Sequence, residues 1–173
     1  MYHVYAPELE DVPVEAAKFI DAVLSYDRPR WLSLLGPSGC GKTFISKQIV
    51  KLLAKWWRIR TATGHRGPQM AHIQPAADLD DYKAAKHYAG YDLIFIEDIG
   101  AGSASDKGAA AVTRSRVADL LQLRSDKWTI LDANLYQNEI ASIIDARIAS
   151  RIIRDDSVAV QIPPTVPDYA TLK

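Results

Sequence analysis

The chain is short of sulfur, of net charge and of long apolar runs. A single cysteine, Cys40, leaves no internal disulfide framework and suits a reducing compartment. Lysine plus arginine equals aspartate plus glutamate, 21 each, so no global basic field announces nucleic acid; any such site has to be a local patch. No apolar run approaches the ~20 residues of a membrane span, and no charged-then-apolar leader opens the sequence. The expectation is a cytoplasmic protein with no membrane partner. Internal repeats and low-complexity linkers are missing too. His3, His65, His72 and His87 lack metal-ligand spacing and Cys40 is no partner for them, so no zinc is expected. What remains is 173 residues of ordinary globular composition, a length that suits one domain with a substantial core.

Against that plain background one stretch stands out. Gly36, Pro37, Ser38, Gly39, Cys40, Gly41, Lys42 and Thr43 fit the phosphate-binding pattern G-x-x-x-x-G-K-[ST] at every fixed position. Three glycines and a proline leave room for backbone N–H groups to point inward at an anion. Lys42 is placed to reach the β- and γ-phosphates, and Thr43 to offer its hydroxyl to Mg²⁺. Cys40 holds a variable position and reads as a small residue that fits the turn. Residues 31–35 before the loop read as a short buried strand. Residues 43–57 after it read as a helix with apolar positions at 45, 49, 52, 53 and 56. Strand, glycine turn and helix N-terminus together bind phosphate with aligned amides and the helix dipole.

A second motif is Leu93-Ile-Phe-Ile-Glu97-Asp98. An apolar strand that ends in acid puts carboxylates at the carboxyl edge of a sheet, beside the phosphate loop. One carboxylate can hold Mg²⁺ and its neighbour can orient or deprotonate an attacking water. Downstream, residues 128–132 form a strand that runs into Asp132-Ala-Asn134, where a polar side chain can touch the γ-phosphate or the water. Arg147 and Arg151 then share a helix face at i, i+4, with Arg154 three further on. Two readings of these arginines stay open. They are a solvated face paired with Asp145, Asp155 and Asp156, or an arginine finger aimed at a phosphate on a neighbouring subunit. Lys55, Arg58, Arg60, Arg66, Lys83 and Lys86, with Trp56, Trp57 and Tyr88 interleaved, similarly read either as a contact for single-stranded DNA or as solvated surface over a tryptophan core.

Between the motifs strands and helices alternate. Residues 1–12 read as an irregular arm and 14–24 as a helix. Residues 59–63 read as a second strand and 64–80 as a loop with short structure. A short helix over 80–89, a strand over 91–97 and a Gly/Ser/Ala loop over 100–108 follow. Helices over 109–124 and 138–153 flank the strand at 128–132, and a last strand, 158–162, is stopped by two prolines. The pattern predicts an α/β fold with a mainly parallel five-stranded sheet covered on both faces. Residues 1–28 divide off as an arm and short helix, 29–165 as the core and 166–173 as a tail.

The order of these motifs resembles AAA+ ATPases of the initiator and helicase-loader branch, most of all the DnaC/IstB type, with DnaA more distant. The resemblance covers roughly residues 30–165. It implies a P-loop NTPase three-layer sandwich that binds ATP and Mg²⁺, hydrolyses ATP and oligomerises around it. Its partners would be single-stranded DNA and a replicative helicase or a transposase. It assigns Lys42 and Thr43 to phosphate and Mg²⁺, Glu97 to the Mg²⁺-associated acid and Asp98 to the catalytic base. Asn134 matches sensor 1 and Arg151 the arginine finger, with Arg147 in support. The chain departs from the pattern in its Glu-Asp order, which implies slow or conditional hydrolysis. It also has no sensor 2 arginine after residue 165, so the helical lid is expected to be short or absent. A non-hydrolysing DNA-binding adaptor of IstB type and a small-molecule kinase are the alternatives.

Overall fold

The computed structural model describes residues 13–62, 67–99, 107–154 and 156–166. The strands are β1 (Trp31–Leu35), β2 (Met70–Ile73), β3 (Leu93–Ile96), β4 (Trp128–Ala133) and β5 (Ser157–Gln161). The helices are α1 (Val14–Ser25), α2 (Lys42–Thr61), α3 (Pro75–Asp78), α4 (Tyr82–Ala89), α5 (Lys107–Leu123), α6 (Gln137–Ile143) and α7 (Ala146–Ile152). The five strands form one sheet in the order β2-β3-β4-β1-β5, and every pairing is parallel. Strands β1, β3 and β4 are buried at every position, as a parallel sheet covered on both faces requires.

Side-chain alternation sorts the core into two layers. Leu32, Leu34, Phe95 and Ile130 pack with Phe19, Ile49 and Leu53 of α1 and α2. Leu35, Ile94, Ile96 and Leu131 pack with Ala85, Leu120, Leu121, Ile148 and Ile152 of α4, α5 and α7. The result is a three-layer α/β/α sandwich with the sheet in the middle. Because the period of a strand is two, the even positions of β4 face α2, and Asp132 is one of them.

Three boundaries differ from the sequence reading. The expected strand at 59–63 does not form. Helix α2 runs on to Thr61, with Arg58 and Arg60 in a last turn where the helix dipole favours cations. Ile59 is exposed, so no sheet face claims it. The second strand is Met70–Ile73, inside the stretch expected to be a loop. Among the described strands it pairs only with β3, at the sheet edge, and its single buried residue, Ile73, leaves almost no alternation to detect. The expected helix over 138–153 is two helices, broken where Asp145 turns extended and caps α7 by accepting from the Arg147 N–H. The arm over 1–12, most of the loop over 100–108, and the tail beyond Val166 lie outside the described residues.

Candidate functional site

The phosphate-binding pattern connects the end of β1 to the start of α2. Gly36 has φ 147°, and a Cβ there would come within 2.7 Å of the Ile162 carbonyl oxygen. Only glycine lets the loop pass so close to the strand end. Gly41 caps α2 at φ 90°, so the loop runs directly into the helix N-terminus, whose first amides have no partner within the helix. The loop is tied on both sides, by the Gly36 N–H to the Ala133 carbonyl (3.3 Å) and by the Ile162 N–H to the Leu35 carbonyl (2.7 Å).

Lys42 is 5% exposed, and its ammonium donates to the carbonyls of Gly36 (3.0 Å) and Pro37 (2.6 Å) and to Asn134 Oδ1 (2.8 Å). The amide of Asn134 in turn donates to Asp98 Oδ1 at 2.7 Å. Asn134 therefore links the loop's lysine to the acid after β3. Asp98 has φ 56°, a left-handed conformation that aspartate tolerates, and its N–H donates to Asp132 Oδ1 at 2.5 Å. Burial pushes the Asp98 carboxyl above the usual carboxylate range, opposed by Lys42 and reinforced by Glu97. The second oxygen of Asp132 accepts from the Thr43 hydroxyl at 2.9 Å. Asp132 is 1% exposed, and burial pushes its carboxyl up to about 6 against the two hydrogen bonds that favour the anion.

Glu97 points elsewhere. Its Oε2 lies 2.7 Å from His72 Nε2 and 3.6 Å from Lys47 Nζ. His72 stacks on Phe95 with 4.7 Å between centroids and 9° between planes. The sequence alone assigns no role to His72 or Asp132. His72 lies in the stretch that reads as a loop, and the motif match falls on Asn134, which shares the parity of Asp132 on β4.

Together Lys42, Thr43, Glu97, Asp98, Asp132 and Asn134 line a cavity of about 270 Å³ beside Ser38 and Gly39. The donors that face it are hydroxyl and carboxylate oxygens. No group of three or more His, Cys, Asp or Glu among the described residues could hold a metal unaided. An oxygen set of that kind suits Mg²⁺, which is bound by one or two carboxylates and completed by phosphate and water. Next to the cavity is an apolar pocket of about 710 Å³ lined by Pro13, Cys40, Phe44, Ile162 and Val166.

The remaining candidates lie apart. Arg151 holds its guanidinium 5.9 Å over the ring of Trp31, the first residue of β1, whereas the phosphate loop follows the last. Arg147 is exposed and paired with Asp145 at 3.1 Å. Among the basic residues, Lys55, Arg58 and Arg60 are on α2 and Lys83 and Lys86 on α4, helices that cover opposite faces of the sheet. They form no single patch, and Arg66 lies outside the described residues. Trp57 is core at 3% exposure, while Trp56 carries the Arg60 guanidinium at 4.9 Å.

Residues 32–152 match the family described as ATPase family associated with various cellular activities (AAA). The chain belongs to that family. No curated protein sequence matches it. Among solved structures it resembles DnaI, with a TM-score of 0.64 and 21% identity over 92% of this chain and 88% of that one. It resembles the DnaC helicase loader with a TM-score of 0.58 and 18% identity, over 94% of each chain. A DNA replication initiation factor matches with a TM-score of 0.62 and 16% identity, over 89% of this chain. The chain spans about half of that factor, 48% of its length. These likenesses establish the fold, the P-loop α/β sandwich that the strand pattern predicts. No described helix of this AAA chain is long and apolar enough to cross a membrane.

Proposed function

We propose that this AAA protein is a helicase-loader-like ATPase of the DnaC/IstB type, which binds ATP with Mg²⁺, assembles around it and acts on single-stranded DNA in replication. The observation that carries the reading is the bonded chain Lys42–Asn134–Asp98 at the mouth of the loop, which links the phosphate-binding ammonium to a partly buried acid. The apolar pocket beside it has the place and character to take a nucleotide base.

The chemistry follows from the residues. Loop amides and Lys42 hold the phosphates; Thr43 would hold Mg²⁺, with Glu97 on the lining of the same cavity as the second candidate. Bound Mg²⁺ would neutralise charge that develops on the transferred phosphoryl group. Asp98 orients the attacking water and accepts its proton, helped by a carboxyl whose affinity for protons is raised. Asn134 fixes Asp98 relative to Lys42. Arg151 of a neighbouring copy would complete the pocket, with Arg147 in support. Glu97 is held by His72 and Lys47, and Asp98 is one methylene shorter than a glutamate. Both favour slow hydrolysis that waits on assembly or a partner. A replicative helicase or a transposase is the client expected from the fold's relatives, and the cytoplasm the expected compartment.

Light scattering with a non-hydrolysable ATP analogue, with and without a short single strand, tests the reading together with phosphate release. The expected result is larger particles with analogue and more phosphate release with the strand. Equal particle size in every condition would overturn the assembly reading, and turnover of a non-nucleotide acceptor would point to a kinase.

A further inference from the structure

We infer that Asp132, at the end of β4, is the acid that orients Thr43 toward the nucleotide's metal ion, whereas the family resemblance names Glu97 as the Mg²⁺-associated acid. The inference rests on the proposed Mg²⁺–ATP reading and deepens it.

The argument starts from the hydroxyl of Thr43. A hydroxyl has one proton to donate and two lone pairs to offer. Here the proton goes to Asp132 Oδ2 at 2.9 Å, which leaves the lone pairs for a cation in the cavity that both residues line. Asp132 thus determines which way Thr43 presents its oxygen. Its other oxygen is taken by the Asp98 N–H, so the carboxylate is clamped between the phosphate loop and the acid turn. That clamp follows from topology. Strand β4 lies between β1 and β3, and the even positions of β4 face α2.

A purely structural role explains the residue poorly. Serine, threonine or asparagine could accept from the Asp98 N–H without burying a carboxylate. Asp132 is 1% exposed, and no described cation lies within salt-bridge distance of it. A buried anion that has Lys42 nearby but no cation in contact is costly, and a cation held by Thr43 would offset part of that cost. Glu97, by contrast, already has His72 and Lys47 as partners.

The experiment titrates Mg²⁺ against binding of a fluorescent ADP or ATP analogue to the full chain, with parallel titrations in EDTA. Asp132→Asn is expected to raise the Mg²⁺ concentration for half-maximal coupling about 10–100-fold, the usual cost of losing the group that orients a metal ligand. Its affinity in EDTA should not fall below that of wild type, because the carboxylate favours binding only through the cation. Mn²⁺ in place of Mg²⁺, read by electron paramagnetic resonance, should show the same weakening without reference to turnover. Asp132→Ser keeps an acceptor for the Asp98 N–H and should behave alike, so the test does not depend on one variant folding. Thr43→Val should reproduce the loss, and adding Asp132→Asn to it should change the Mg²⁺ requirement no further. An unchanged Mg²⁺ requirement in both Asp132 variants, with Glu97→Gln carrying the whole shift, would overturn the inference while leaving the ATP reading intact. If wild type binds no nucleotide in either buffer, the ATP reading fails and the inference falls with it.

Discussion

Single side chains decide the chemistry, and two of them set the sharpest expectations. Lys42 is spent on the Gly36 and Pro37 carbonyls and Asn134, all at the mouth of the loop. Lys42→Ala should abolish ATP binding by calorimetry, whereas unchanged affinity would discredit the phosphate loop. Asp98→Asn should keep nucleotide affinity and lower turnover about 10²–10⁴-fold, the usual contribution of a positioned base. Single-turnover phosphate release checks it; an undiminished rate would move the base elsewhere. The residues that carry these expectations were legible in the sequence because each occupies a fixed slot in a short motif. Asp132 and His72 were not, because their importance lies in what they touch. Asp132 meets Thr43 across 89 positions of chain and His72 meets Glu97 across 25. No local pattern encodes either distance. Arg124 is the extreme case. It ends the helix expected over 109–124 with no role assigned, yet it is fully buried, with its guanidinium donating to the carbonyls of Tyr91 (2.6 Å) and Trp128 (2.6 Å) and to Thr129 Oγ1 (3.2 Å). Burial lowers it to about 10, so it stays charged at neutral pH. Arg124→Met would strand those acceptors and should cost about 3 kcal/mol or more, since hydrogen bonds to a charged group are each worth ~1.5–3 kcal/mol. Urea unfolding with an unchanged m-value would show it.

Elements were legible in proportion to how completely they are buried. Strands β1, β3 and β4 are apolar runs buried along their whole length, and the expected spans agree with the observed ones to within two residues at either end. Strand β2 is an edge strand with one buried residue, and Pro68 and Pro75 beside it mimic a loop. The break between α6 and α7 was hidden because apolar spacing continues through it. What ends α6 is the extended backbone of Asp145, whose carboxylate then caps α7. The Arg147 side chain and amide hold the Asp145 carboxyl below the usual carboxylate range. A carboxyl whose folded value is depressed adds stability above its unfolded value and loses it as pH falls through the folded one. Asp145→Ala should therefore cost about 0.5–2 kcal/mol at neutral pH, the worth of an N-cap. The gap between variant and wild type should narrow below about pH 4, where an ordinary aspartate titrates. Thermal melts at neutral and acid pH decide it, and a gap that widens in acid would refute the cap.

At the scale of the whole molecule the sheet separates two sets of groups that the proposed reaction brings together. Arg151 is over Trp31 at one end of β1, and the phosphate loop leaves the other end. Four rises of ~3.3 Å put roughly 13 Å between those ends, beyond the reach of an arginine side chain. One chain therefore cannot bring Arg151 to its own loop without unfolding the sheet. A second copy can, if it docks the α7 end of its sheet against the loop end of the first. On the proposed reading turnover is then a property of the assembly. Specific activity should rise with protein concentration, and Arg151→Ala should bind ATP normally while losing about 10³–10⁵-fold in assembled turnover, the range for an arginine finger. Mixing supplies the decisive version. Lys42→Ala has an intact Arg151 and no working loop, and Arg151→Ala has the reverse. Each alone should be inactive, and the mixture should recover part of the wild-type rate, because one variant's arginine completes the other's pocket. A mixture as inactive as its components, together with wild-type activity independent of concentration, would show that Arg151 serves only its own subunit as a cap over Trp31.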